Sequence, residues 1–157
     1  MRGLGLAVMA ALAMAPAAAL AQEPLVTMVP LDAETTINGV GVACTGIGQT
    51  REDPRWAAYP VRIEVSDAQN AYLAGAVVQV RTGAGKPLLA AECDGPWLLV
   101  KLAKGRYLAE ARVEGSPARP RSAPFSAPAT GQIRVVLKFT DIDVPPVTPA
   151  SSSPPSP

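Results

Sequence analysis

The chain contains no histidine, and aromatic residues make up only 4% of its 157 positions. Histidine is the side chain whose ordinary pKa places its proton exchange near neutral pH, so its absence removes the usual general base. A Ser-His-Asp or Cys-His nucleophilic site is excluded for the same reason. Only two cysteines are present, and without histidine they leave a zinc site two ligands short. The sequence therefore predicts no catalytic residue, no cofactor and no metal.

A single positive charge followed by an apolar run opens the chain. No charged residue follows Arg2 before residue 23, and Pro16 interrupts the run before it ends in Ala19-Leu20-Ala21. This order is typical of a secretory signal peptide with an A-x-A cleavage site, whereas a membrane anchor needs roughly 18 to 20 strongly apolar residues. We therefore expect residues 1–21 to be a cleaved signal peptide. The mature protein is then periplasmic or secreted, begins at Gln22 and has no membrane span.

The expected mature chain has no excess of either charge. Removing residues 1–21 takes away one basic residue and no acidic one, so the 14 basic and 13 acidic residues become 13 and 13. Proteins that bind nucleic acid usually carry a basic patch or stripe. Since this chain has no basic cluster, we expect no nucleic-acid partner.

Both cysteines, Cys44 and Cys93, lie in the mature chain. An even number of cysteines in an oxidising compartment favours a disulfide. Two free buried thiols are the alternative. The expected role of a bridge is structural, because closing so long a loop restricts the unfolded chain.

Apolar and polar residues alternate in five separate stretches of the mature chain. A period of two is typical of strands that bury one face and expose the other to water. The residues predicted to point inward are Val61, Ile63, Val65, Ala76, Val78, Val80, Leu98, Val100, Leu102, Tyr107, Ala109, Ala111, Val113, Ile133, Val135, Leu137 and Phe139. Turn-forming residues separate these stretches at intervals of roughly ten residues, which predicts an all-β sandwich.

Segments without this alternation define the domain limits. Residues 142–157 are rich in proline and serine and lack apolar periodicity, which predicts a disordered tail. Residues 22–35 are an N-terminal lead segment without a clear pattern, so the sandwich domain is predicted over residues 36–141. One short helix is expected near residues 53–58, capped by Asp53.

Residues 71–115 carry a further set of motifs. Leu73-Ala74-Gly75-Ala76-Val77 enters a strand, Asp94-Gly95 forms a turn, and Leu98 and Leu102 lead to Gly105-x-Tyr107. This stretch resembles the carboxypeptidase regulatory-like domain. The segment from Gly39 to Val61 resembles the start of small exported bacterial proteins that carry this domain.

The resemblance implies a transthyretin-like β-sandwich of about seven strands. It also implies structural roles for two of the motif residues. Gly105 is expected to adopt a positive φ in a tight turn, and Tyr107 to pack within its strand.

Four residues are candidates for a binding surface. Trp97 and Leu99 alternate out of the core set, so their face is either covered by the segment around Cys44 or is an exposed apolar patch that marks a binding site. Arg51 and Trp56 lie in a segment of mixed charge, which is either a recognition surface or the polar face of the short helix.

The spacing of Asp141 and Asp143 suits a cation held by two carboxylates. Calcium takes six to eight oxygen ligands, however, and two acids beside a proline-rich tail fall well short of that number. We therefore interpret this pair as a solvated strand end.

Taken together, these features predict a non-catalytic exported module that engages an envelope protein or a cell-wall component. A sheet face, an edge strand or the loop from Thr45 to Trp56 would make the contact. The first alternative is a structural accessory domain with no specific ligand. The second is an enzyme with an unrecognised carboxylate site.

Overall fold

A computed structural model describes residues 24–73 and 75–142. The predicted signal peptide (residues 1–21), Asp143 and all of the predicted tail (residues 142–157) except its first residue lie outside the described residues. Within them, ten strands form two sheets of five, so the predicted all-β sandwich is confirmed with ten strands where about seven were expected. The strands are β1 (Val26–Val29), β2 (Glu34–Ile37), β3 (Val40–Thr45), β4 (Val61–Ser66), β5 (Ala76–Thr82), β6 (Pro87–Cys93), β7 (Trp97–Val100), β8 (Gly105–Val113), β9 (Arg121–Ala127) and β10 (Ile133–Lys138).

The two sheets differ in strand order. The first sheet has the order β1-β6-β5-β8-β9 and the second β10-β4-β7-β3-β2. Most neighbours are antiparallel, but β1 pairs with β6 and β10 pairs with β4 in parallel. β9 and β10 lie next to each other where the two sheets meet, although they belong to different sheets. The other two edge strands are β1 and β2.

The core lies between the sheets and contains most of the residues predicted to point inward. Tyr107, Val113 and Ile133 are only half-buried, and the remaining predicted residues are buried. β5 departs from simple alternation because Val77 and Gln79 on its outer side are buried as well. β5 is the middle strand of the first sheet, so side chains of strands on both sides shield it from water.

The disulfide between Cys44 and Cys93 is present, as predicted. It joins β3 of the second sheet to β6 of the first. The backbone N–H of Gly95 donates a hydrogen bond of 3.1 Å to the sulfur of Cys44. The bridge therefore fixes the two layers to each other at the end where β6 turns into β7.

The segment between β3 and β4 forms two short 3-10 helices, Gln49–Glu52 and Pro54–Ala58. Asp53 caps the second, as predicted, because its carboxylate accepts a hydrogen bond of 2.9 Å from the backbone N–H of Arg55. Pro54 occupies an early helical position, where its missing N–H costs nothing. Nowhere in residues 24–73 and 75–142 is there a helix long and apolar enough to cross a membrane.

The expectation for Gly105 is wrong, whereas Tyr107 packs as expected. Gly105 begins β8 and is not among the residues with positive φ. The Tyr107 ring stacks on Phe125 with centroids 5.6 Å apart, and its hydroxyl donates a 2.9 Å hydrogen bond to the carbonyl of Ala103. This bond ties the start of β8 to the connection that precedes it.

Candidate functional site

The outer face of the second sheet carries a row of charged and aromatic side chains. In the register of β4 with its neighbours, Arg62 lies opposite Arg134 of β10, and Glu64 lies opposite Trp97 of β7. Side chains on one face of neighbouring strands are close enough to interact. The alternation of β4 explains the placement, since Val61, Ile63 and Val65 face the core and leave these residues outside.

Glu64 is the most buried charged group of this face, with only 1% of its side chain exposed. One carboxylate oxygen lies 2.9 Å from Nε of Arg62, and the other lies 2.6 Å from a guanidinium nitrogen of Arg134. Both contacts are ion pairs. The carboxylate also raises the pKa of the Arg134 guanidinium above its ordinary value. Charge pairing of this kind is what allows a carboxylate to be buried at all.

Trp97 extends this row with an aromatic surface. The guanidinium of Arg62 lies over the Trp97 ring, 4.3 Å from its centroid. Tyr72 meets the same ring edge-on at 6.5 Å between centroids, and 46% of Tyr72 is exposed. Nε1 of Trp97 is buried and has no hydrogen-bond partner among the described residues. We call Arg62, Glu64, Tyr72, Trp97 and Arg134 together the Trp97 surface.

The neighbouring part of the same face is covered. Leu99 and Ala43 are fully buried beneath Trp56 and Tyr59, and the four residues form a second apolar cluster. The second 3-10 helix and Tyr59 provide this cover. The segment around Cys44 does not, because it forms strand β3 and pairs with β7 in the same sheet. Leu99 and Trp56, two of the four candidates for a binding surface, are buried against each other in this one cluster and are therefore not exposed.

Hydrogen bonds hold this cover in place. Nε1 of Trp56 donates to the carbonyl of Thr50 at 2.7 Å, and the Gln132 amide donates to the carbonyls of Trp56 and Tyr59. The hydroxyl of Tyr59 donates to Glu34 at 2.9 Å. Burial, and then this bond to Glu34, raise the pKa of Tyr59 to about 12.

Arg51 is exposed and lies apart from the Trp97 surface along the chain. It pairs with Glu52 at 3.8 Å, and both side chains are largely in water. Such exposed pairs contribute little free energy. Arg55, on the next 3-10 helix, lies over the Trp56 ring at 4.0 Å and pairs with Asp53 at 3.3 Å. These contacts match a polar helix face more closely than a recognition surface.

Asp141 is held by arginine side chains and backbone of the β9 region. Its carboxylate accepts a 2.7 Å hydrogen bond from Arg121 and a 3.3 Å bond from the backbone N–H of Arg119. The Arg121 bond is the main cause of the lowered pKa of Asp141. No cluster of three or more histidine, cysteine or acidic residues that could hold a metal occurs within residues 24–73 and 75–142.

The first sheet carries an open groove that was not predicted from the sequence. Its volume is about 470 Å³. Gly83 lines it, and the absence of a Cβ there allows the close approach of Arg106, whose Cβ and backbone oxygen would each lie 3.1 Å from a Cβ at Gly83. The other lining residues are Tyr107, Leu108, Pro124, Phe125 and Ser126.

Comparison with known proteins adds no assignment to this geometry. No protein-family model matches the chain, and no curated protein matches it significantly. The resemblance of residues 71–115 to the carboxypeptidase regulatory-like domain therefore stays a prediction.

Proposed function

We propose that this protein is a non-catalytic, exported binding module of the carboxypeptidase regulatory-like type that works in the periplasm and engages an envelope protein through the Trp97 surface. One observation carries the proposal. On this surface Tyr72 stands partly exposed beside Trp97, and two arginines flank them. Tryptophan, tyrosine and arginine are the residues that most often dominate binding free energy at protein interfaces.

The surface is also preorganised. The buried Glu64 forms ion pairs with Arg62 and Arg134, and the guanidinium of Arg62 lies over the Trp97 ring. All except Tyr72 are on or at the ends of strands of one sheet. Side chains already fixed in the free protein lose less conformational entropy on binding. A partner with acidic groups suits this surface, because two arginines and one glutamate leave an excess of positive charge.

The carboxylates that an enzyme would need are engaged elsewhere. Glu64 is buried between two arginines, and Asp141 is bound by Arg121. The bond from Arg121 lowers the pKa of Asp141, so this carboxylate is a weak base. This favours binding over acid–base chemistry.

The experiment is affinity capture from envelope extract with chemical crosslinking, in which the exported chain is compared with Tyr72→Asp and Arg134→Glu. Ser126→Asp is the matched control, since it adds the same charge at an exposed position of the first sheet. We expect one stoichiometric envelope protein that is lost with both surface variants and retained with the control. A partner lost only with Ser126→Asp would move binding to the groove, and no crosslinked partner would favour the accessory-domain alternative. Either result would contradict the proposal.

A further inference from the structure

The edge strand β1 has no charged side chain and no bulge, two of the features that protect sheet edges in natural proteins. Short length and proline are two others, and β1 is a four-residue strand between Pro24 and Pro30, so only residues 25–29 are available for pairing with a further strand. No charged residue occurs from Pro24 to Leu31. Among the described residues, β6 is the one strand that pairs with β1, so the other edge of β1 offers unpaired backbone groups.

Apolar side chains accompany this open edge. Leu25 is 90% exposed and Met28 is 62% exposed, and Val26 is exposed as well. The register with β6 sorts these side chains by face. Thr27 and Val29 lie opposite the core residues Ala91 and Cys93, so Val26 and Met28 are on the outer face of the first sheet.

The other three edge strands are less suited to pairing with another chain. β9 and β10 lie next to each other, and they carry Arg121 and Arg134 respectively. β2 carries Glu34, which is bonded to Tyr59. Self-pairing of these charged strands brings like charges towards each other across the symmetry axis, whereas β1 has no charge to repel its own copy.

We propose that β1 pairs antiparallel with β1 of a second copy of this chain, which makes a symmetric dimer with one continuous ten-stranded sheet. A two-fold axis through Thr27 is the register that fits. It places Thr27 opposite Thr27 of the second copy, Val26 opposite Met28, and Leu25 opposite Val29. Every pair then joins residues on the same face, as a continuous sheet requires, and the exposed side chains of Val26 and Met28 cover one another.

The first test measures the mass of the exported chain by sedimentation equilibrium over a range of concentrations. We expect the unchanged chain to approach twice its monomer mass, and Met28→Lys to remain a monomer at the same concentrations. Val136→Lys is the matched control, because Val136 is an exposed apolar strand residue of the other sheet. It is expected to dimerise like the unchanged chain. A chain that is monomeric throughout, or a dimer unaffected by Met28→Lys, would overturn the proposal.

The second test reads the register directly. Residues opposite each other in an antiparallel pair have Cα atoms about 4.5 to 5.5 Å apart, within the range that a disulfide spans. Thr27→Cys is therefore expected to form a crosslinked dimer under mild oxidation. Val26→Cys and Met28→Cys should each crosslink poorly alone but well when mixed. Equal crosslinking by all three single variants would contradict the proposed axis.

Discussion

Glu64 and Arg134 lie on neighbouring parallel strands, and a carboxylate oxygen of the first is 2.6 Å from a guanidinium nitrogen of the second. The two ends of this pair differ sharply in environment, since 55% of the Arg134 side chain is exposed and Glu64 is buried. The arginine therefore keeps part of its hydration, whereas the carboxylate depends on its protein partners. Loss of the cation should be more harmful than loss of the acid.

We predict that Arg134→Met lowers the free energy of unfolding by about 2 kcal/mol, because it leaves a buried carboxylate with one of its two cations. Adding Glu64→Gln to Arg134→Met should recover part of this loss. The measurement is urea unfolding of the single and double variants. Lys138→Met on the same strand is the control and should change stability by less than about 0.5 kcal/mol. Equal effects of the two substitutions would contradict the dependence on Glu64.

Sequence periodicity was sufficient to predict strands that bury one face and expose the other to water. In β10, for example, the exposed residues Arg134, Val136 and Lys138 alternate with the core residues Val135 and Leu137, as the pattern predicts. Periodicity did not reveal β1, because this strand has only four residues and none of them is charged, so that no alternation is visible. It also missed β9, which contains Pro124. Proline is tolerated there because β9 is an edge strand.

The candidate site was only partly predictable. Trp97 was identified because it alternates out of the core set. The burial of Glu64 could not be inferred, since alternation places it on the wet face and its neighbours Trp97 and Arg134 come from distant parts of the chain. The sequence left open whether the face of Leu99 is covered, and the cover proves to be Trp56 and Tyr59 rather than the segment around Cys44.

The disulfide should contribute strongly to stability. Cys44 and Cys93 are separated by 49 positions, and closing a loop of that length stabilises by about 4 kcal/mol in the chain-entropy model. We predict that reduction lowers the free energy of unfolding by about this amount in denaturant titrations. A Cys44→Ala and Cys93→Ala double variant should be similarly destabilised and insensitive to reductant. A loss below about 1 kcal/mol would show that the bridge adds little to the interlayer packing.

Stability should fall in the alkaline range because of Tyr59. Its pKa is raised from 10.0 to about 12 by burial and by the bond to Glu34. Below the pKa of Tyr59 in the unfolded chain, its hydroxyl is protonated in both states and its contribution to the stability of the folded state is fully present. As pH rises from 10 towards 12, the unfolded state loses its proton first and is stabilised relative to the folded state.

Ultraviolet titration of the three tyrosines tests this prediction. One phenol should ionise about two pH units later than an ordinary tyrosine, and Tyr59→Phe should remove that late step. Glu34→Gln should move it to lower pH, since the carboxylate opposes ionisation. A late step that persists in Tyr59→Phe would assign it to another tyrosine and contradict the prediction.

Gly95 should tolerate no side chain, because the connection between β6 and β7 passes directly over β3. A Cβ at this position would collide with the backbone carbonyl oxygen of Thr45 and would lie 2.8 Å from Cδ1 of Leu31. The carbonyl cannot move without disturbing the strand that holds Cys44. We predict that Gly95→Ala lowers the free energy of unfolding by about 3 kcal/mol, the upper range for overpacking.

Gly41→Ala is the matched control, because its Cβ would meet the flexible side chain of Lys101 at 3.0 Å. Neither glycine has a positive φ, so the comparison isolates what the new methyl group contacts. The lysine can rotate away, and we expect a change of less than about 1 kcal/mol in thermal or urea unfolding. If Gly95→Ala and Gly41→Ala lower the free energy of unfolding equally, the close approach of the β6–β7 connection to Thr45 is not the reason that position 95 requires glycine.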